Sequence, residues 1–243
     1  MAERAGGEPV PLIEERYFSD IQACGEALAE SLAACVERNL ARKGRASLAV
    51  SGGRTPRWVF PALAAMPLAW EKVAVTLTDE RWVDADDPQS NEKLVRDLLL
   101  VDHAASARFT GLKTADETPE EGVGDCRRRL ADFPWPLDAL FLGLGEDGHI
   151  ASLFPGRELD LATDVSCLAT EAPGGGPARM SLAPAVLLAA GEIFLILAGA
   201  AKRSAYRRAK RPGPFSELPV RLVLHQDRSP VTVFIARKNG DSI

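Results

Sequence analysis

The chain has 243 residues, 46% of them hydrophobic and 26% charged, a balance that excludes a disordered or fibrous chain and suits one large α/β domain or two small ones. Twenty-nine Lys and Arg against 34 Asp and Glu leave a net charge of −5, which argues against nucleic acid or an anionic membrane surface as partner. Cys24, Cys35, Cys126 and Cys167 show neither CxxC nor Cys/His ligand spacing, so they are read as reduced core thiols of a cytoplasmic protein.

Residues 1–16 read as a polar leader with room for an early edge strand, and residues 1–20 lack the apolar core of a signal peptide. Ser19 or Asp20 can cap a long helix to Lys43, whose apolar stripe is Ile21, Cys24, Leu28, Leu32, Cys35 and Val36. Gly44 stops it, Ala46–Ser51 follows as a short buried strand, and Gly52-Gly53-Arg54-Thr55-Pro56 leads into a helix over Arg57–Ala65. Val73–Thr78 is the second strand, and Ser90 or Asn91 starts a helix to about Val101. A helix over Pro119–Asp132 precedes a third buried strand, Leu137–Leu142. Val165–Thr170 and Arg179–Leu182 are predicted as shorter strands around Pro173-Gly174-Gly175-Gly176-Pro177.

Leu182–Ala201 is apolar over about the length of a membrane span, but Pro184 and Gly191-Glu192 interrupt it. A central acid costs about 2.5–3.5 kcal/mol on insertion, so the segment is read as a short helix and a buried strand. Ala200–Lys210 is then a helix, and Val220–Leu224 and Val231–Ala236 are predicted to finish the sheet. The alternation predicts a single α/β domain over residues 1–243: a doubly wound, mainly parallel, Rossmann-like sheet with helices on both faces. Such sheets bind ligands beyond the carboxyl ends of their strands.

The chemistry-bearing residues fall at those ends. Asp147 and His149 sit at the tip of a glycine turn after a buried strand, where an imidazole beside a carboxylate reads as a general base with its orienting group. Ser51, Gly52, Gly53, Arg54 and Thr55 lie between strand and helix, with Thr55 a plausible N-cap and Pro56 the first helical residue. The glycines let backbone N–H groups face an anion, most simply a phosphate. Arg81 can clamp a phosphate or carboxylate, and Asp79 and Glu80 can position it or act on substrate. Arg179 and Lys202 are further cations at strand or helix ends. Gly143-x-Gly145-x-x-Gly148 matches the dinucleotide fingerprint only formally, since no second strand ends in an acid at the required distance. No zinc-protease, EF-hand or serine-hydrolase motif occurs.

Together these segments resemble the 6-phosphogluconolactonases of the pentose phosphate pathway. Gly143 to Gly156 matches that family's Gly-x-Gly-x-Asp-Gly-His-x-Ala-Ser-Leu-Phe-Pro-Gly without a gap. Supporting matches are residues 51–56 to its Ser-Gly-Gly-Ser-Thr-Pro-like loop, Asp79-Glu80-Arg81 with Ser90-Asn91, and Gly199-Ala200-Ala201-Lys202. Arg54 replaces a small polar residue, so its side chain either adds a cation or turns outward. Arg179-Met180-Ser181-Leu182-Ala183 is a looser match to Arg-x-Thr-Leu-Thr, and Leu188 stands where an asparagine is common. The resemblance implies hydrolysis of 6-phospho-D-glucono-1,5-lactone without metal or cofactor. It implies His149 and Asp147 as catalytic residues, and Ser51, Gly52, Gly53, Arg54, Thr55, Asp79, Arg81, Asn91, Arg179 and Lys202 as substrate-binding ones. The expected partner is that small molecule alone, with the chain a monomer or weak homodimer. The alternatives are a glucosamine-6-phosphate deaminase-like activity and a non-catalytic sugar-phosphate sensor. Deaminases continue Ile-Ala-Phe-Asn-Glu-Pro after Asp-Gly-His, and Phe154 occupies the place of their glutamate. A sensor has no need of the Asp147–His149 pair.

Overall fold

The continuous apolar runs of the sequence become strands buried in the middle of a parallel sheet, where both faces are covered. The computed structural model describes residues 13–157, 161 and 165–237; the leader over 1–12 lies outside the described residues. An edge strand β1 (Ile13–Phe18) leads into helix α1 (Ile21–Lys43). Asp20 caps α1 by accepting from the Ala23 N–H, and its buried face includes Cys24, Leu28, Leu32, Cys35 and Val36. Strand β2 (Ala46–Val50) is buried at every residue, as is β3 (Val73–Leu77). Between them lie two 3-10 turns (Thr55–Trp58 and Trp70–Lys72) and the short helix α2 (Phe60–Ala64). Phe60 of α2 meets Phe141 edge-on at 6.2 Å, and burial of each such side chain contributes about 1.5–3 kcal/mol.

The chain continues through β4 (Asp79–Arg81), α3 (Asn91–Leu98), β5 (Arg108–Thr110), α4 (Pro119–Ala131) and β6 (Ala139–Gly143). After β7 (Cys167–Thr170) and β8 (Arg179–Leu182) come α5 (Pro184–Leu188), β9 (Glu192–Ala198), α6 (Ala200–Ala209), α7 (Arg221–Leu224) and β10 (Val231–Ala236). The main sheet runs β1-β10-β9-β6-β2-β3-β5, and a three-stranded antiparallel sheet runs β4-β8-β7. Every pair in the main sheet is parallel, with Val50 opposite Phe141 at the β2–β6 seam. From β2 the chain builds outward through β3 and β5 on one side and through β6, β9 and β10 on the other. The β2–β6 seam is therefore the switch point, beyond whose carboxyl ends a ligand crevice is expected.

The mainly parallel α/β architecture follows the sequence reading, and the apolar segment Leu182–Ala201 divides into α5 and β9 as predicted. Among the described residues no helix is long and apolar enough to cross a membrane. Three local predictions are corrected. Val220–Leu224 is not a strand: Arg221–Leu224 is a buried helix, and the Val220 N–H bonds the Gly148 carbonyl at 3.0 Å. A short apolar run has no periodicity that separates the two states, and docking on the turn at Gly148 decides it. Thr55 is not an N-cap but lies inside the 3-10 turn, where Arg54 is the cap residue and no side chain makes a capping bond. The helix from Asn91 stops at Leu98 rather than near Val101, and the edge strand β5 carried no readable pattern over its three residues.

Candidate functional site

The turn after β6 is built around close contact between backbone and side chain. The Gly145 N–H bonds the His149 carbonyl at 2.9 Å, and Gly148 N–H bonds the Gly145 carbonyl at 3.1 Å. Asp147 Oδ1 accepts from the His149 backbone N–H at 3.1 Å and lies 2.6 Å from His149 Nδ1. A methyl on Gly145 would lie 2.1 Å from His149 Nδ1 and 2.5 Å from Asp147 Oδ1, so only glycine lets the pair fold back over this turn. The Phe154 ring supports the imidazole from 4.9 Å at 53°. Burial alone would raise the Asp147 carboxyl, but the His149 hydrogen bond and charge outweigh it and hold it below the usual range. A carboxylate only accepts, so Nδ1 carries the bonded hydrogen and Nε2 of the neutral ring keeps its lone pair. Both side chains remain partly open to solvent, at 33% for His149 and 42% for Asp147.

The loop after β2 lies beside this turn. Ser51 N–H bonds the Phe141 carbonyl at 3.1 Å, and Ser51 Cβ is 3.9 Å from where a Gly143 side chain would start. Gly52 is packed against Asn91: a Cβ there would fall 1.8 Å from Asn91 Oδ1. Arg54 is exposed, and its charge reaches Lys202 on the first turn of α6. Burial lowers the Lys202 pKa, Arg54 lowers it further, and Glu146 opposes both. A second cation pair forms where β4 meets β8, with Arg81 opposite Arg179. Burial and the Arg81 charge lower the Arg179 pKa, against the pull of Asp79 and Glu80. Arg81 Nη1 donates to the Gln89 carbonyl at 2.5 Å and Arg179 Nε to the Pro177 carbonyl at 3.0 Å. Arg81 Nε is buried with no partner among the described residues. None of these four cations makes an ion pair among the described residues. Holding like charges together unpaired is the arrangement an anion would relieve.

The acidic residues of β4 point inward. Glu80 is fully buried and accepts from the N–H groups of Arg81, Asn91 and Glu92 and from the Ser90 hydroxyl, closing the N-terminus of α3. Burial raises its pKa, and the backbone N–H groups pull the other way. It holds the helix rather than facing the crevice. Asp79 accepts from Ser152 Oγ at 2.6 Å and Thr78 Oγ1 at 3.2 Å, and Asn91 Nδ2 donates to the Asp79 carbonyl at 2.8 Å. Asn91 Oδ1 is buried without a partner among the described residues. Thr78 had no signal in the sequence and Ser152 only its place in the Gly143–Gly156 match, because no pattern of hydroxyl residues says which ones tertiary folding joins to Asp79. An open cavity of about 740 Å³, lined by residues including Arg45, Lys72, Arg108 and Trp135, lies at the opposite ends of β2 and β3. It contains none of the residues above. Among the described residues no group of three or more His, Cys, Asp or Glu is placed to hold a metal ion.

Residues 19–233 match the family model described as glucosamine-6-phosphate isomerases/6-phosphogluconolactonase. The 6-phosphogluconolactonase of Rhizobium meliloti strain 1021 is 40% identical over 224 residues, covering 90% of this chain and 97% of that protein. The 6-phosphogluconolactonase of Mesorhizobium japonicum is 43% identical over 224 residues, covering 90% of this chain and 93% of that protein. The crystal structure of a 6-phosphogluconolactonase from Shewanella baltica OS155 superposes with a TM-score of 0.89 at 37% identity, covering 93% of this chain and 98% of that chain. The chain belongs to the glucosamine-6-phosphate isomerase/6-phosphogluconolactonase family.

Proposed function

We propose that the protein hydrolyses 6-phospho-D-glucono-1,5-lactone to 6-phosphogluconate, with His149 as general base. The observation that carries the mechanism is the 2.6 Å contact between His149 Nδ1 and Asp147 Oδ1, which leaves Nε2 as the free basic atom. The carbonyl carbon of the lactone is attacked by water as Nε2 takes the water proton. The tetrahedral oxyanion collapses, the bond from that carbon to the ring oxygen breaks, and Nε2–H returns the proton to the ring oxygen. The product acid then ionises. Asp147 orients the ring and stabilises the imidazolium while it exists.

Gly52 and Gly53, with Ser51 and Thr55 flanking them, offer backbone to the phosphate, beside the Arg54–Lys202 pair. The Arg81–Arg179 pair supplies a second positive patch for charge developing on the lactone oxygen. Asn91, with Oδ1 unpartnered against Gly52, shapes the floor of that loop, and Asp79 lies behind it. The net charge of −5 gives no general attraction for nucleic acid or anionic membrane. Four buried free cysteines fit the reducing cytoplasm.

The test is hydrolysis of freshly generated lactone, followed by acid release against the spontaneous rate in the same buffer. The reading expects an excess rate proportional to enzyme, and no ammonia release from glucosamine 6-phosphate. Absence of excess hydrolysis overturns it.

A further inference from the structure

The base and the anion loop stand on different strands, and a buried chain of side chains joins them. Asp79 is 7% exposed, and both its carboxylate oxygens are occupied by hydroxyl groups. Because a carboxylate only accepts, Thr78 gives its one hydroxyl proton to Asp79, and the Thr78 oxygen takes the Ser51 Oγ–H at 2.8 Å. From the other side Ser152 Oγ donates to Asp79 at 2.6 Å. Direction is therefore fixed along the chain Ser51 to Thr78 to Asp79, with Ser152 entering from the turn that holds His149.

Ser152 has little freedom left. Its N–H donates to Ser181 Oγ at 3.2 Å, and its carbonyl accepts from Thr170 Oγ1 at 3.1 Å. It closes the turn begun by His149, in which Ile150 bridges Leu153 and Ala151 takes a left-handed φ of 49°. A non-glycine residue in that conformation is strained, and it persists only where its surroundings hold it. Asp79 is the group that ties this held turn to the strand carrying the anion loop.

We propose that Asp79 is a positioning residue, which sets the spacing between His149 and the Ser51–Gly53 loop through Ser152 and Thr78 without touching substrate. The inference rests on His149 being the base and the loop holding the phosphate. A lactone anchored by its phosphate presents its carbonyl at one distance from that anchor, and attack needs the base held at that distance. Misplacement by about 1 Å costs about 100-fold in rate.

The decisive variants are Ser152→Ala and Asp79→Asn in the full chain, assayed with fresh lactone and, separately, for inhibition by inorganic phosphate. Ser152 is 1% exposed, so its variant reports on the link alone and remains informative if Asp79→Asn folds poorly. Both variants are expected to lower kcat about 10- to 100-fold, with KM, the phosphate inhibition constant and the shape of the pH–rate profile unchanged. The double variant should fall no further than Asp79→Asn alone, since the Ser152 bond is one of the two that Asp79 accepts. An active wild type with Ser152→Ala at full kcat overturns this inference alone. So does an Asp79→Asn loss far exceeding that of Ser152→Ala with a limb of the pH profile missing, which would put Asp79 on the substrate. Activity loss that vanishes when rates are normalised to folded protein overturns it as well. An inactive wild type brings down the function reading and this inference together.

Discussion

His149 and Asp147 lie folded back over Gly145, so the smallest unit of the site is a side-chain pair seated on a bare backbone. Gly145→Ala would place a methyl 2.1 Å from His149 Nδ1, and the partly exposed pair can escape only by leaving its seat. This variant is expected to keep its thermal midpoint within a few degrees and to lose about 100-fold in kcat, checked by thermal denaturation beside the lactone assay. The closeness of His149 to Asp147 was legible in sequence because the two stand two residues apart in one short turn. Arg54 was legible only as a choice: it is exposed, and it stands near enough to Lys202 for its charge to lower that pKa. Glu80 reads from sequence as a possible actor on substrate, yet three hydrogen bonds commit it to the α3 N-terminus. Side-chain direction on a three-residue strand is set by its partners, β8 and α3, which no local pattern names.

Elements that bury both faces announced themselves, and elements that depend on a neighbour did not. The apolar runs of β2, β3, β6 and β9 are insensitive to context. By contrast α7 and β5 are short, and their state is decided by docking on the Gly148 turn and on β3. The edge strand β1 is likewise secured by side chains from elsewhere. Glu15 accepts from Tyr17 at 2.5 Å, Tyr206 at 2.7 Å and Lys210 at 2.9 Å, linking β1 to α6. Burial would raise the Glu15 carboxyl, but these donors and the Lys210 charge overrule it and lower it to about 2. A carboxyl depressed in the folded state stabilises above its unfolded pKa, near 4.5, and loses that contribution as pH falls toward 2. Glu15→Gln should therefore destabilise the protein by about 1–2 kcal/mol at pH 7, and by less at pH 3, as read by urea unfolding at both values. An equal loss at both values would contradict this role.

At the scale of the whole molecule, the order of the strands puts the chemistry where it is. The sheet grows outward in both directions from the β2–β6 seam, so the anion loop and the base emerge side by side from adjacent strand ends. The small β4-β8-β7 sheet adds Arg81 and Arg179 from one flank, and the first turn of α6 adds Lys202 from the other. The proposed base of the lactone hydrolase built at that seam is His149, oriented by Asp147. The measurement that tests it most directly is the kcat of His149→Asn on freshly generated 6-phosphogluconolactone, with circular dichroism to verify the fold. A loss of about 100- to 10,000-fold with the fold intact is expected, whereas a folded variant that keeps the wild-type rate would contradict that role.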